Sequence, residues 1–327
     1  MLVVEEIPRP EPGPGEVRVA IVAAALNRLD CWVRRGLPIR MEMPHIGGAD
    51  FSGVVEALGP GSRRWRPGDA VVGHPRIARP QVVPGRLPFA LLGEERNGAF
   101  CEALVLPEEN LVAKPASLTF VQSAAMPVAF VTAWTMLAER AGLRAGETLL
   151  VQGAGSGVGT AAVQIGRHLG AHVIACTSAG KLDAVRGLGA EAVIDDRSER
   201  VALRVRELTG QRGADVVFEH VGAATWSDSV ASAAPGGRIV TCGATTGALG
   251  ELDLRLVFGR ELRIEGVTLG SRDALETVLG LAADGAFAPV IDRVWPLARG
   301  REAHEVLERG GVLGKLVLEI DADAALR

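Results

Sequence analysis

The strongest chemical signal in the chain is seven small residues that carry no reactive group. Gly153-Ala154-Gly155-Ser156-Gly157-Val158-Gly159 places a glycine at every second position. The run follows an apolar strand candidate, 148–152 (TLLVQ), and opens a segment with helical apolar spacing, 160–169. A strand that turns sharply into a helix aims the helix's free N–H groups outward, and small residues let a phosphate approach them. The strict G-x-G-x-x-G spacing is not met, so the run taken alone also reads as a glycine-rich turn. At the head of a strand–helix series it reads as a dinucleotide-binding turn.

The end of the next strand, 172–176, tests the cofactor. An acid there would bind the adenosine ribose hydroxyls. The chain instead continues Cys176-Thr177-Ser178-Ala179-Gly180-Lys181. A hydroxyl and an ammonium suit a 2′-phosphate, with Arg197 after the third strand as a further cation. These residues favour NADP(H); the plainer reading of Lys181 is a solvated helix residue.

The elements that must hold these residues fall into two patterns. Between Glu16 and Leu106, short apolar runs (17–25, 52–58, 69–73, 99–106) are separated by Gly- and Pro-rich turns, which predicts a compact β-rich, barrel-like domain. The stretch from Gly73 to Arg96 lacks periodicity and reads as a loop. Beyond about Phe120, strand candidates at 148–152, 172–176, 191–194, 214–218, 238–242 and 262–267 alternate with helical segments such as 160–169 and 180–188. Six such units predict a doubly wound parallel sheet. Two helices around a strand at 289–295 follow, then a last strand at 315–320 that returns to the first domain. The expected division is 1–121, 122–268 and 269–327.

Composition removes several classes. The 327 residues carry a net charge of −4, so no electrostatic footprint for nucleic acid or an anionic membrane exists. The apolar stretch 124–138 is too short to span a bilayer, and the N-terminus lacks a signal-peptide pattern, so a cytoplasmic protein is expected. There is no tyrosine, which excludes a phenol as proton donor. The four cysteines lie far apart without C-x-x-C, arguing against a zinc ribbon or a disulfide framework. Only Lys114, Lys181 and Lys315 are lysines among 35 basic residues.

Across nearly its whole length the chain resembles the medium-chain dehydrogenase/reductase superfamily, in its zinc-free quinone oxidoreductase-like branch. The motifs are Asn27-x-x-Asp30-x-x-x-Arg34-x-Gly36, Gly48-Ala49-Asp50-Phe51-Ser52-Gly53, Pro67-Gly68-Asp69, Ala125-Met126-Pro127, Thr132-Ala133-Trp134, Pro235-Gly236-Gly237 and Gly314-Lys315. The resemblance implies an α/β protein: a GroES-like β-rich domain plus a Rossmann doubly wound parallel sheet. It implies an active site in the cleft between them and a homodimer formed along the last Rossmann strand, near 262–267. In zinc alcohol dehydrogenases of this superfamily Cys, His and Cys or Asp hold the metal. The matching positions here are Asn27, Ala49 and Val128, so no metal site is expected. Cys31, His45 and Cys101 fall out of register.

Without a Lewis acid, alcohol oxidation loses its route to an alkoxide at neutral pH. The expected reaction is therefore hydride transfer from NADPH to a quinone or an α,β-unsaturated carbonyl. Asn27 is a candidate to hydrogen-bond the acceptor, or else an amide that ties two loops. Trp32 stands where related quinone reductases carry Tyr, as a flat wall that cannot donate a phenolic proton. Asp50 is a candidate acid, or else orients Arg34; Asp30 organises the 27–36 turn. Thr132 resembles a nicotinamide contact, and Val221, Gly243, Val267, Leu269, Ser271 and Lys315 are carried over as cofactor positions. The alternatives are an enoyl-thioester reductase, for which Arg63, Arg64, Arg66, Arg76, Arg79 and Arg86 offer a basic rim, and a crystallin-like NADPH-binding protein with little turnover. A zinc alcohol dehydrogenase is the least favoured. The chain also starts without the strand or two that usually precede the first domain, which suggests a trimmed start.

Overall fold

The computed structural model describes the chain except residues 1, 38–40, 42, 82 and 321–327. Two compact units result, Met1–Val128 with Ser271–Arg327, and Ala129–Gly270.

The first unit is built on β1 (Glu16–Ala25), seven of whose ten residues are buried and which has strands on both sides. Helix α1 (Arg28–Arg35) follows, with Asp30 in its first turn and Arg34 and Arg35 in its last, the order that suits the helix dipole. Then come β2 (Asp50–Leu58), β3 (Ala70–Gly73), β4 (Arg76–Ala78), β5 (Phe89–Leu91), β6 (Ala103–Pro107) and β7 (Leu111–Ala113). β4 and β5 form a two-stranded sheet inside the stretch expected to be a loop. Three residues per strand are too few for alternation to be visible in sequence. The expected strand at 99 begins only at Ala103, because the N–H groups of Ala99 and Phe100 donate to the carbonyls of Gly48 and Gly47 instead. Helix α2 (Phe120–Ala124) is capped by Thr119, whose hydroxyl accepts the Gln122 N–H while Gln122 answers on the Thr119 N–H. The chain leaves the unit through α3 (Pro127–Trp134).

The second unit is a six-stranded parallel sheet of β8 (Thr148–Val151), β9 (His172–Thr177), β10 (Ala192–Asp195), β11 (Ala214–Glu219), β12 (Ala233–Thr241) and β13 (Arg263–Gly266). The inner strands β8, β9 and β11 are buried apolar runs, as expected where helices cover both faces, while the edge strand β13 is largely exposed. Those helices are α4 (Gly157–His168), α5 (Leu182–Gly187), α6 (Val201–Leu208), α7 (Trp226–Ser232) and α8 (Leu254–Gly259). The order β10-β9-β8-β11-β12-β13 reverses direction between β8 and β11, the doubly wound switch point. β12 starts five residues before the expected 238, since its exposed Pro235-Gly236 masks the strand signal. Arg238 within it is buried and held by Glu147 at 2.6 Å.

The first unit is completed by α9 (Arg272–Ala283), β14 (Ile291–Pro296), α10 (Gly300–Arg309) and β15 (Lys315–Glu319). β15 pairs antiparallel with β1, and β14 parallel with β15. Among the described residues no helix is long and apolar enough to cross a membrane.

On the buried face of α10 lies His304, 3% exposed, edge-on to Phe100 with ring centroids 5.7 Å apart. Neither ring nitrogen has a hydrogen-bond partner among the described residues. Burial first, and the Arg34 guanidinium second, push its imidazole down to about 4, against the pull of Glu308. The unfolded chain takes up this proton near pH 6.5 and the folded chain only near 4, so stability is lost as pH falls through that window. The loss amounts to as much as ~3 kcal/mol. Urea melts at pH 7 and pH 4.5 should show His304→Leu losing less stability on acidification than the parent. An equal loss in both proteins would contradict this account.

Candidate functional site

The predicted phosphate turn leaves β8 and enters α4 as expected. Ser156 caps the helix, its hydroxyl accepting the Gly159 N–H at 2.9 Å. The same hydroxyl lies 3.2 Å from His220 Nε2. Burial holds the His220 imidazole below its ordinary value even though the Glu219 charge pulls upward. A neutral ring with its proton on Nδ1 lets Ser156 donate to Nε2. Two glycines are closely packed, Gly159 against fixed backbone and Gly155 against side chains. A methyl on Gly155 would stand 2.6 Å from Lys181 Cδ and 2.9 Å from Thr177 Oγ1; one on Gly159 would stand 2.4 Å from the Gly153 carbonyl oxygen. Ala154, Gly157 and Val158 complete the turn and the first turn of α4. Val221 packs over Gly153, where a methyl would meet its Cγ2 at 2.9 Å.

Lys181 therefore lies along the phosphate turn. Ser178 precedes it at the start of a short 3-10 turn, half-buried, and Arg197 is exposed beyond β10. Asp196 was missed by the sequence reading, which looked for an acid only after β9. Burial and the neighbouring Asp195 raise its carboxyl, and Arg197 and Lys181 are close enough to oppose that rise.

At the carboxyl ends of β11, β12 and β13 the second unit has a cavity of 720 Å³, lined among others by Gly222, Trp226, Cys242, Gly243 and Val267. Two carried-over cofactor positions, Gly243 and Val267, line it. Leu269 has φ of 58°, the left-handed region that non-glycine residues seldom adopt. Thr132 is buried on α3. Ser271 belongs to the first unit, where its hydroxyl caps α9 by accepting the Ala274 N–H at 3.1 Å. Burial, then Glu219, pushes the Cys242 thiol up to about 12, so the cavity wall presents a thiol rather than a thiolate.

In the first unit, Asn27, Asp50 and Lys315 meet in the interior. Lys315 Nζ donates to Asn27 Oδ1 at 2.6 Å and to Asp50 Oδ2 at 2.9 Å. Asn27 Nδ2 donates to Asp50 Oδ2 at 2.9 Å, and the Val128 N–H to Asp50 Oδ1 at 2.7 Å. Lys315 and Asp50 side chains are 4% and 0% exposed. Asp30 braces the same loops, accepting the Asn27 N–H at 2.6 Å and the Gly48 N–H at 3.1 Å. Burial pushes its carboxyl up to about 7 against those N–H groups and Lys315.

Two expectations change here. Asp50 does not orient Arg34, which pairs with Glu308. The Arg79 and Arg86 side chains both pair with Glu95, at 2.5 and 2.9 Å, so they form no open basic rim. Trp32 is half-buried on α1. Pairing Asp50 with a lysine 265 residues away has no local signature, and the sequence reading missed it.

The residues at the superfamily's metal positions do not fit zinc. Of the three positions, Asn27 is an amide engaged by Lys315 and Asp50, and Ala49 and Val128 have no donor side chain; His45, out of register, faces the Gly93 carbonyl with its Nε2 at 3.2 Å. Among the described residues no group of three or more His, Cys, Asp or Glu is arranged to hold a metal ion.

Comparison with known proteins agrees with this architecture. Residues 13–116 match the alcohol dehydrogenase GroES-like domain family and residues 157–284 the zinc-binding dehydrogenase family. A quinone oxidoreductase of Pseudomonas aeruginosa is 33% identical, covering 94% of this chain and 92% of its own. A structure described as an NAD-dependent alcohol dehydrogenase is 42% identical with a TM-score of 0.91, covering 96% and 94% of the two chains. The 2-octenoyl-CoA carboxylase reductase CinF, solved with NADP and 2-octenoyl-CoA, is 31% identical with a TM-score of 0.85, covering 98% and 84%. The chain, an α/β protein with a GroES-like domain and a Rossmann sheet, belongs to the medium-chain dehydrogenase/reductase superfamily.

Proposed function

We propose that this oxidoreductase passes hydride from NADPH to a quinone or an α,β-unsaturated carbonyl without zinc. The observation that supports the reading is the Lys315–Asp50–Asn27 cluster: Asn27, at one of the positions where zinc enzymes of the superfamily carry a ligand, is an amide engaged by a buried lysine and by Asp50. The 153–159 turn would take the pyrophosphate, and Ser178, Lys181 and Arg197 the 2′-phosphate. Thr132, Val221, Gly243, Val267 and Leu269 would bound the nicotinamide. That ring supplies the hydride when bound.

The protein's own part is to bind, orient and stabilise charge. An acceptor gains negative charge on oxygen as hydride arrives. An ammonium has three N–H groups, two of them engaged at Lys315, and the Asn27 amide has a second N–H. These are the donors the first unit offers that oxygen. Trp32 gives an aromatic acceptor a flat surface to stack on. A protonated Cys242 thiol keeps an electrophilic acceptor from alkylating the cavity wall.

The second reading, an enoyl-thioester reductase, is favoured by the likeness to CinF, which was solved with 2-octenoyl-CoA. The pairing of Arg79 and Arg86 with Glu95 counts against a phosphate rim there. A homodimer along β13 also fits. That strand ends the sheet, and Ile264, Leu254 and Phe258 beside it are 37%, 66% and 73% exposed.

The first test is NADPH oxidation against quinones, enones and enoyl-CoAs after dialysis with a chelator. Turnover with quinones or enones should survive chelation. Exclusive turnover of enoyl-CoAs would select the second reading, and silence with every acceptor a nucleotide-binding protein. One equivalent of tightly held zinc would overturn the metal-free mechanism.

Fluorescence titration tests the cofactor: Lys181→Ala should weaken NADPH roughly tenfold, the loss of about one charge-assisted contact, and leave NADH unchanged. Equal effects on both nucleotides would remove Lys181 from phosphate binding.

In sedimentation, Ile264→Lys should convert a dimer to a monomer. A parent protein that sediments as a monomer would refute the edge pairing.

A further inference from the structure

We infer that Glu219 is the positioning residue of the 720 Å³ cavity, acting through the Thr246 hydroxyl to hold two loops at a fixed separation. The inference rests on reading that cavity as the nicotinamide site.

Glu219 ends β11 with no exposure to solvent. One carboxylate oxygen accepts the N–H groups of Val221 at 2.6 Å and Gly222 at 3.0 Å. The other accepts the hydroxyls of Thr225 at 2.8 Å and Ser229 at 2.6 Å. Ser229 accepts in turn from Gln152 Nε2 at 3.2 Å, which ties the arrangement to the end of β8. Among the described residues no lysine or arginine side chain pairs with Glu219. The buried charge is balanced by N–H and O–H dipoles of the loop that follows it, and each such bond is about twice as strong as a neutral one. The loop from 221 to 225 is thereby fixed.

From that loop the order passes to a second one. The Val221 carbonyl accepts both the N–H and the hydroxyl of Thr246, each at 2.8 Å. The Thr246 hydroxyl accepts the Ala224 N–H at 3.0 Å. The Ala223 N–H reaches the Gly247 carbonyl at 3.2 Å, and a methyl on Gly222 would stand 2.6 Å from that carbonyl oxygen. Gly222, Ala223 and Trp226 form one wall of the cavity, and Gly243, Ala244 and Gly247 another. One carboxylate therefore fixes the first wall, and the Thr246 hydroxyl, with two backbone bonds beside it, carries that order to the second.

The test uses Glu219→Gln, Thr246→Val and Thr246→Ser in the full chain. Thr246 is exposed, so its variants should fold with an unchanged melting temperature. Hydrogen exchange in the nucleotide-free protein should be faster at 221–225 and 243–247 in Glu219→Gln and Thr246→Val. It should be normal in Thr246→Ser, which keeps the hydroxyl. In the same two variants NADPH should bind roughly tenfold more weakly, about one lost hydrogen bond, with rescue by Thr246→Ser. Unchanged exchange and unchanged affinity in both variants, in a protein whose parent binds NADPH, would overturn the positioning role alone. A parent protein that binds no nicotinamide nucleotide would overturn the reading of the cavity and this role with it.

Discussion

A charge buried in the first unit constrains what the rest of that unit can be. Lys315 and Asp50 are almost wholly removed from water, and desolvating either alone costs several kcal/mol. They persist because every oxygen of Asp50 is occupied, by Lys315, Asn27 and the Val128 N–H. The pair requires β15 to lie on β1, the start of β2 to follow it, and the chain at 128 to turn back toward Asp50. Removing one partner strands the other charge, which typically costs about 3–5 kcal/mol. A buried pair of this kind is a poor source of net stability and a good way of fixing which strands meet.

The two units solve different versions of one problem, the placing of polar groups where water is excluded. In the second, Glu219 is satisfied by N–H and O–H dipoles, and the 153–159 turn leads into the free N–H groups at the start of α4. In the first, an ammonium faces a carboxylate and an amide. His304 is the exception, a polar ring without a partner among the described residues, and burial keeps it neutral.

Much of this was legible in the sequence where the signal is local. The six parallel strands showed as apolar runs at a steady spacing, and the 153–159 turn showed because glycine is required wherever a methyl would collide with fixed backbone, as at Gly159. The strands β4 and β5 were not legible, being three residues each. Nor was the partner of Asp50: a contact across 265 residues leaves no period or motif, and only the fold brings its members together. Asp196 was hidden for a related reason, since one of the cations near it, Lys181, comes from the turn after β9 rather than from its own turn.

The pairing of β15 with β1 also governs the order of events during synthesis. The second unit is continuous, from 129 to 270, and all its strands emerge from the ribosome before β15 does. The first unit has to wait with the Ala23–Ala25 end of β1 uncovered on one side until residues 315–319 arrive. A nascent chain halted between these points carries a finished parallel sheet and an exposed strand edge. That interval is when the protein is most open to mispairing and to capture by a chaperone.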